Sequence, residues 1–329
     1  MKTSMFHAFA RIALAFSLLI LPALWISIPA HAQGKVHLTV QGNKFCINST
    51  PEFLVLASYF DALDAAYLED DLDYLKEHGI AGIRIFPNWW DEAGQSSHTL
   101  FDPSGQVRPD RMRRLKAVLK AATARDMIVD ITFTRETVPG LQAENYKKGI
   151  AATVRQLKRY DNILYDLQNE RNGDRTRLSG EDIIALRSQL KAMDPSIILS
   201  ASEAYEATPE QDIAFVKHTG MDIINYHEPR GGAWWDMTAD RVKALRTFGK
   251  PVYLGEPGRW MKNIPLTAAN LTTALEAAKR SGAAAWTFHS EASFDLDHAS
   301  LRSRLNPAVE QAFLDSLPQT LQRTAWGIQ

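Results

Sequence analysis

The 329-residue sequence contains a single cysteine, Cys46, so the chain cannot form an internal disulfide bond. Its stability must therefore come from burial of apolar side chains, and a chain that is 45% hydrophobic has enough of them for a large core. Cys46 lies in an apolar, alternating stretch with no histidine suggested nearby. We expect a small buried residue there and not a nucleophile.

The sequence has no excess of either charge. Lysine and arginine number 37, aspartate and glutamate 38, and the formal net charge is −1. No block rich in lysine or arginine stands out. This composition argues against a nucleic-acid partner.

Long hydrophobic runs are missing except at the N-terminus. Lys2 and Arg11 precede an apolar stretch over residues 12–28, and Ala30-His31-Ala32 has the small-x-small form of a cleavage site. This pattern is typical of a secretory signal peptide (residues 1–32) that is cleaved after Ala32. The domain at 33–329 would then be secreted or periplasmic, without stable membrane association. An uncleaved membrane anchor is the alternative, although the run is short for a span.

Several common motifs are also missing. The sequence has neither G-x-G-x-x-G nor G-x-x-x-x-G-K-[ST], the motifs that bind nucleotides. It has no G-x-S-x-G and no H-E-x-x-H, which mark serine hydrolases and zinc hydrolases. We therefore expect no cofactor and no metal.

The sequence does contain a strand-then-helix pattern that recurs at a period of about thirty residues. Short apolar runs, typical of strands buried on both faces, alternate with segments of helical periodicity. A hairpin signal at 36–48 precedes them and could close one end of a barrel. The pattern predicts an α/β fold, a (β/α)8 TIM barrel with a short N-terminal β-hairpin; a doubly wound open sheet is the alternative. The predicted barrel strands are 53–58, 82–86, 127–133, 163–167, 197–201, 222–226, 252–255 and 283–287.

Two glutamates stand at strand ends, where the active site of such a barrel forms. Glu170 follows the fourth predicted strand and Asn169, and Glu256 follows the seventh and Gly255. These strands are nearly opposite in an eight-fold ring. Glycosidic cleavage needs two carboxyl groups, one to protonate the leaving oxygen and one to attack or support the anomeric carbon. A single glutamate after a strand is more often a solvated loop residue, but a matched pair indicates catalysis.

Other side chains near these strand ends suit a sugar. Arg84 falls inside the second strand, where it needs an anion, and Glu256 is the candidate. Indole rings stack on sugar rings, and six of the eight tryptophans lie at or just after predicted strand ends: Trp89, Trp90, Trp234, Trp235, Trp260 and Trp286. We take Trp89 and Trp90 as candidate substrate-binding residues, although adjacent tryptophans in a loop can equally be packing residues.

In these features the sequence resembles glycoside hydrolase clan A, the retaining (β/α)8 enzymes, and above all its cellulase-type family, family 5. The resemblance covers residues 53–317 and rests on six residues in their strand order: Arg84, Asn169, Glu170, Tyr226, Glu256 and Trp286. Two departures are visible. Thr132-Phe133-Thr134 stands where the family has a histidine, and His227 follows Tyr226 where the family places a histidine two residues earlier.

The resemblance implies a role for each residue. Glu170 would be the general acid and then the base, and Glu256 the nucleophile. Asn169 would bind the sugar 2-hydroxyl, and Arg84 would hold Glu256 ionised. Tyr226 would orient Glu256, and Trp286 would form the floor of the subsite for the cleaved sugar. His227 is a further candidate for substrate binding.

The resulting hypothesis is a retaining β-glycosidase that acts on a β-glycan or β-oligosaccharide by double displacement. Its carboxyl groups should lie ~5–5.5 Å apart, with Glu170 protonated near neutral pH and Glu256 ionised. Since strict alternation cannot aim both Asn169 and Glu170 inward, we expect a bulge or an irregular dihedral angle there. Two alternatives stay open: an inactive carbohydrate-binding barrel, and a metal-dependent barrel hydrolase that uses His227 and His289.

Overall fold

The structure is a computed structural model that describes residues 36–88, 99–134, 140–172 and 178–323. The predicted signal peptide, Trp89 and Trp90 lie outside the described residues. Within these ranges, no helix has the length and apolar character needed to cross a membrane.

A small antiparallel sheet precedes the barrel. It consists of β1 (Leu38–Gln41), β2 (Lys44–Ile47) and β3 (Thr50–Glu52), so a third strand extends the predicted hairpin. Its apolar side chains, including Leu38 and Phe45, form one cluster with inward-facing residues of the barrel strands such as Ile128 and Leu164. The sheet therefore closes one end of the barrel, as the sequence predicted. Cys46 is a buried free thiol in β2, also as expected.

Eight parallel strands form the barrel, and their ends differ from the predicted ones by no more than two residues. They are β4 (Leu54–Ser58), β5 (Gly82–Ile85), β6 (Ile128–Thr132), β7 (Ile163–Asp166), β8 (Ile198–Ser200), β9 (Ile224–His227), β10 (Val252–Glu256) and β11 (Ala285–Phe288). Their hydrogen-bonded order is β8-β7-β6-β5-β4-β11-β10-β9. An isolated β-bridge between Glu203 and Tyr226 spans the gap between β8 and β9. Asp222 also contacts Leu199 there, through N–H···O bonds of 3.0 and 2.9 Å. The (β/α)8 barrel is confirmed.

Helices surround the barrel and bury their apolar faces against its outer surface in one continuous cluster. They are α1 (Leu68–Glu77), α2 (Pro109–Thr123), α3 (Ala143–Leu157), α4 (Gly180–Met193), α5 (Pro209–Thr219), α6 (Trp234–Arg246), α7 (Ala268–Ser281), α8 (Leu301–Arg304) and α9 (Ala312–Arg323). A π-helical turn at Pro307–Gln311 leads into α9.

Strand alternation decides which side chains enter the barrel. On β9, Asn225 and His227 face the interior, where they contact Asp166 and Glu170. On β11, Trp286 and Phe288 face outward, with ring centroids 5.7 and 5.5 Å from that of Phe313 in α9. These directions determine which predicted residues reach the site.

Candidate active site

Two carboxylates and an imidazole meet at the C-terminal end of the barrel strands. One carboxylate oxygen from each of Glu170 and Glu256 and one ring nitrogen of His227 lie within 4.8 Å of one another. The Glu256 side chain is 4% exposed and that of Glu170 is 30% exposed. The two glutamates, 86 positions apart in the sequence (256 minus 170), thus face one place that is open to solvent.

An irregular backbone aims Glu170 inward. Its φ is 45°, in the left-handed region, as the sequence analysis expected for one of these two neighbouring residues. This conformation costs about 1–2 kcal/mol for a residue with a side chain. The segment is held by its neighbours, since Asn169 N–H donates to Phe133 O at 2.9 Å and Glu170 N–H to Ser202 Oγ at 3.1 Å.

A glycine and a shift in strand register aim Glu256 inward. In the pairing of β10 with β9, the register shifts between Leu254 and Glu256, so Gly255 has no paired residue on β9. A Cβ atom on Gly255 would lie 2.1 Å from Oδ1 of Asn225 and 3.0 Å from Nη1 of Arg84. Only glycine allows these two side chains to lie beside the strand just before Glu256.

Arg84 lies fully buried at the centre of the barrel, below the two glutamates. Its Nη1 donates to Asp130 Oδ2 at 2.9 Å, and its Nη2 contacts Asp166 Oδ2 at 3.3 Å and Glu256 Oε1 at 3.4 Å. From the sequence, Glu256 was the only anion expected for Arg84. Burial raises the pKa of both aspartates, while Arg84 acts in the opposite direction.

Asn169 and His227 connect Arg84 to Glu170 at the opening. Arg84 Nη2 donates to Asn169 Oδ1 at 2.8 Å and contacts Nε2 of His227 at 3.3 Å. A guanidinium cannot accept a hydrogen bond, so Nε2 is the acceptor and Nδ1 carries the proton. Nδ1 then donates to Oε1 of Glu170, which lies 3.3 Å away.

Arg230, which the sequence analysis did not identify, lies between the two glutamates. Its Nη2 is 3.2 Å from Oε1 of Glu170 and 2.9 Å from Oε2 of Glu256, and its side chain is 34% exposed. It belongs to the loop between β9 and α6, where the only available signal was a cation shortly after a strand end.

These contacts keep both carboxylates ionised. Burial works against ionisation of Glu256, but the surrounding groups, with the fixed charges of Arg84 and Arg230 among them, outweigh it and lower the pKa of Glu256 well below its ordinary value. Burial likewise opposes ionisation of Glu170, yet the hydrogen bond from His227 and the charge of Arg230 lower its pKa as well. The expectation that the surroundings favour a protonated Glu170 is therefore wrong for this state of the site, because the Arg230 guanidinium and the His227 N–H adjoin the carboxyl group.

His289 and the aromatic rings of Phe60 and Phe86 form another side of the site. His289 Nδ1 donates to Pro257 O at 2.8 Å, and its Nε2 accepts from Arg259 Nη1 at 3.3 Å. Burial lowers the pKa of His289 well below its ordinary value, so the ring is neutral. The ring of Phe60 stacks on Phe86 at 4.1 Å and lies 5.6 Å from His289, between centroids.

Two residues assigned by resemblance do not reach the site. Tyr226 is fully buried on the outer side of β9, where Arg241 of α6 donates to its hydroxyl group. Trp286 is fully buried on the outer side of β11 against Phe313. Strand alternation is the reason for both, since the neighbouring inward positions belong to His227 and Thr287. The assignments of Tyr226 to orient Glu256 and of Trp286 to form the subsite floor are corrected accordingly.

Among the described residues, only Glu170, His227 and Glu256 bring three potential ligand atoms close enough for a metal ion. The guanidinium groups of Arg84 and Arg230 already contact these carboxylates, at 3.4 Å or less. A divalent cation would meet both positive charges there. This electrostatic environment disfavours the alternative of a metal hydrolase that uses His227 and His289.

Comparison with known proteins gives a consistent picture of the fold. No protein-family model and no curated protein sequence matches the chain. Among solved structures, a glycoside hydrolase family 5 enzyme from Prevotella bryantii is similar, with 15% identity, a TM-score of 0.60, and coverage of 82% of this chain and 96% of that one.

Two further structures are similar over most of both chains. A β-1,4-D-mannanase from Cryptopygus antarcticus has 13% identity and a TM-score of 0.61, covering 89% of this chain and 99% of that one. A family 5 mannosidase from Rhizomucor miehei has 10% identity and a TM-score of 0.62, covering 88% and 99%. The chain thus has the (β/α)8 barrel fold found in glycoside hydrolases, family 5 enzymes and mannanases among them.

Proposed function

We propose that the protein is a retaining β-glycoside hydrolase that cleaves O-glycosidic bonds of a β-glycan or β-oligosaccharide. The convergence of Glu170 and Glu256, with carboxylate oxygens within 4.8 Å, is the observation that carries this proposal. Retaining enzymes hold their carboxyl groups ~5–5.5 Å apart, whereas inverting ones leave ~6.5–9.5 Å for a water molecule. The close approach of one oxygen from each carboxylate supports direct attack on the sugar.

In the first step, a carboxylate oxygen of Glu256 attacks the anomeric carbon, and the bond from that carbon to the leaving oxygen breaks. The proton of Glu170 moves to the leaving oxygen, so the aglycone departs as an alcohol. Arg84, 3.4 Å from Glu256 and fully buried, favours the ionised nucleophile.

In the second step, Glu170 acts as a base. It takes a proton from a water molecule, whose oxygen attacks the anomeric carbon and breaks the ester bond to Glu256. This restores the Glu256 carboxylate and the protonated Glu170, and releases the sugar with its original configuration. Asn169, held by Arg84 at 2.8 Å, is the group that we assign to the sugar 2-hydroxyl.

Glu170 must gain its proton before the first step, although its pKa is lowered when His227 and Arg230 adjoin it. A sugar that enters between the carboxylates displaces Arg230 and excludes water. Both changes disfavour the charged form of Glu170 and raise its pKa. Substrate binding therefore favours the protonated form of Glu170 that the first step needs.

Replacement of Glu256 by alanine tests the proposal on a panel of aryl β-glycosides and polysaccharides. We expect turnover to fall by several orders of magnitude, and azide to restore part of it by forming a glycosyl azide. Glu210→Ala, which removes an exposed glutamate at the start of α5, is the matched control and should retain full activity. Near-normal activity of Glu256→Ala on every substrate that the parent cleaves would refute the assignment.

One observation favours a second candidate, a carbohydrate-binding barrel without activity. Arg230 bridges the two carboxylates that a retaining enzyme needs free, at 3.2 and 2.9 Å. Such a protein would bind oligosaccharides without cleaving them. Calorimetric titration, with product analysis of the same mixture, separates the two candidates.

A further inference from the structure

We propose that the substrate carries an anionic substituent, a uronate carboxylate or a sulfate ester, next to the cleaved bond. When the substrate binds, this anion replaces Glu170 and Glu256 as the partner of Arg230. The inference deepens the proposed function and rests on it.

The position of Arg230 is incompatible with a bound sugar. Its Nη2 lies 3.2 Å from Glu170 and 2.9 Å from Glu256, while one oxygen of each carboxylate lies within 4.8 Å of the other. The reacting carbon and its leaving oxygen must lie between these same carboxyl groups. The guanidinium therefore has to leave this position whenever a glycoside enters.

A displaced Arg230 loses two charged hydrogen-bond acceptors, and its side chain is only 34% exposed. A neutral sugar offers no anion in their place. Within the part of the chain that the structure describes, three other acids around the opening have partners: Glu203 contacts Arg171, Glu291 contacts Arg259, and Glu206 bonds to the hydroxyl group of Tyr205. A carboxylate or sulfate on the substrate suits the planar guanidinium, which binds two oxygens at once.

The loop that carries Arg230 has room to follow the substrate. Gly231 and Gly232 come directly after it, and a Cβ atom on either would meet nothing within 4 Å. Gly232 has a φ of 67°, a conformation that favours glycine. The loop therefore faces open space and can carry the guanidinium aside together with an anionic substituent.

This movement links recognition to catalysis. When the substrate anion binds Arg230, Glu170 loses the cation that favours its ionised form and can hold the proton that the leaving group needs. A neutral glycoside must displace Arg230 without that compensation. Arg230 is thus a specificity-determining residue that selects charged glycans.

Matched substrates test the inference: aryl β-glucuronide against β-glucoside, β-galacturonide against β-galactoside, and 6-sulfated against unmodified β-glucoside and β-galactoside. For at least one pair, wild-type kcat/KM should be about 10- to 100-fold higher for the charged member, the range expected for a hydrogen-bonded ion pair. Arg230→Met should remove most of this ratio, and Arg230→Lys should give an intermediate one. The uronide and sulfate arms identify which anion is recognised.

Lys243→Met, which removes an exposed cation from α6, is the control and should leave the ratio unchanged. Equal or better cleavage of the neutral members, or an unchanged ratio in Arg230→Met, would overturn the inference. The proposed function would still stand in that case if Glu256→Ala abolishes the cleavage. If the wild-type protein cleaves neither member of any pair and no polysaccharide, both proposals fall. Should Arg230→Met fold poorly, the ratio for Arg230→Lys decides.

Discussion

Nδ1 of His227 lies 3.3 Å from Oε1 of Glu170 and is the hydrogen-bond donor between them. The direction follows from the other ring nitrogen, which accepts from the fully buried Arg84 at 3.3 Å. His227 thus connects Arg84, a fixed cation, to Glu170, the residue that we assign as the acid, and helps to orient its carboxyl group.

Removal of this histidine should change the pH dependence of the reaction. The hydrogen bond from His227 lowers the pKa of Glu170, against the effect of burial. In His227→Ala, that pKa should rise, and the high-pH limb of kcat/KM, where the acid loses its proton, should move to higher pH. His218→Ala, at an exposed position on α5, is the control. A limb that stays in place would show that His227 does not act on Glu170.

Removal of Arg84 should destabilise the fold. Arg84→Met leaves Asp130 and Asp166 buried without their cation, and the loss of one partner of a buried ion pair costs about 3–5 kcal/mol. Urea unfolding at neutral pH measures this loss. Arg280→Met, which breaks an exposed pair with Glu276, should cost less than about 1 kcal/mol. Equal effects of the two substitutions would contradict the central position that we assign to Arg84.

Gly255→Ala should displace the nucleophile. The new Cβ atom would lie 2.1 Å from Asn225 Oδ1, so either Asn225 or the strand that ends in Glu256 must shift. We expect a loss of about 1–3 kcal/mol, as for other overpacked sites, together with a large fall in kcat. Thermal unfolding of Gly231→Ala, where the added Cβ meets nothing within 4 Å, gives the matched stability control. Wild-type stability and turnover in Gly255→Ala would contradict this packing argument.

Glu228 should make the fold less stable as the pH rises. Burial raises the pKa of Glu228 to about 8, although Thr238 Oγ1 donates to it at 2.6 Å. The folded protein therefore keeps this proton to a higher pH than the unfolded chain, so stability falls between about pH 4.5 and pH 8. Glu228→Gln stays neutral and should lose about 1–3 kcal/mol less over this range. Urea unfolding at pH 5 and pH 8 checks this, and equal losses would contradict it.

The residues whose positions the sequence predicted well stand at strand ends. The apolar runs before Glu170 and Glu256 fixed the strands, and barrel topology then placed both glutamates on one face. The inward direction of Glu170 required an irregular backbone, which its φ of 45° supplies. These inferences did not depend on knowing which side of each strand faces inward.

The predictions for Tyr226 and Trp286 failed because they depended on which side of a strand faces the barrel interior. Strands buried on both faces have no alternating pattern, so neither Tyr226 nor Trp286 could be assigned to the inner or outer surface from sequence. Asp130 and Asp166 could have been found, because each is an acid inside an apolar strand, as Arg84 is a cation inside one. Arg230 lies in a loop without periodicity, and its place between the glutamates depends on the folded structure.

The most direct test of the account is the site of covalent labelling. A 2-deoxy-2-fluoro glycoside with a good leaving group, made from whichever sugar the protein cleaves, slows the second step and should trap the glycosyl-enzyme. Peptide mass spectrometry should then find the fluorosugar on Glu256. An adduct on another residue, or products of inverted configuration without any adduct, would contradict a double displacement by Glu170 and Glu256.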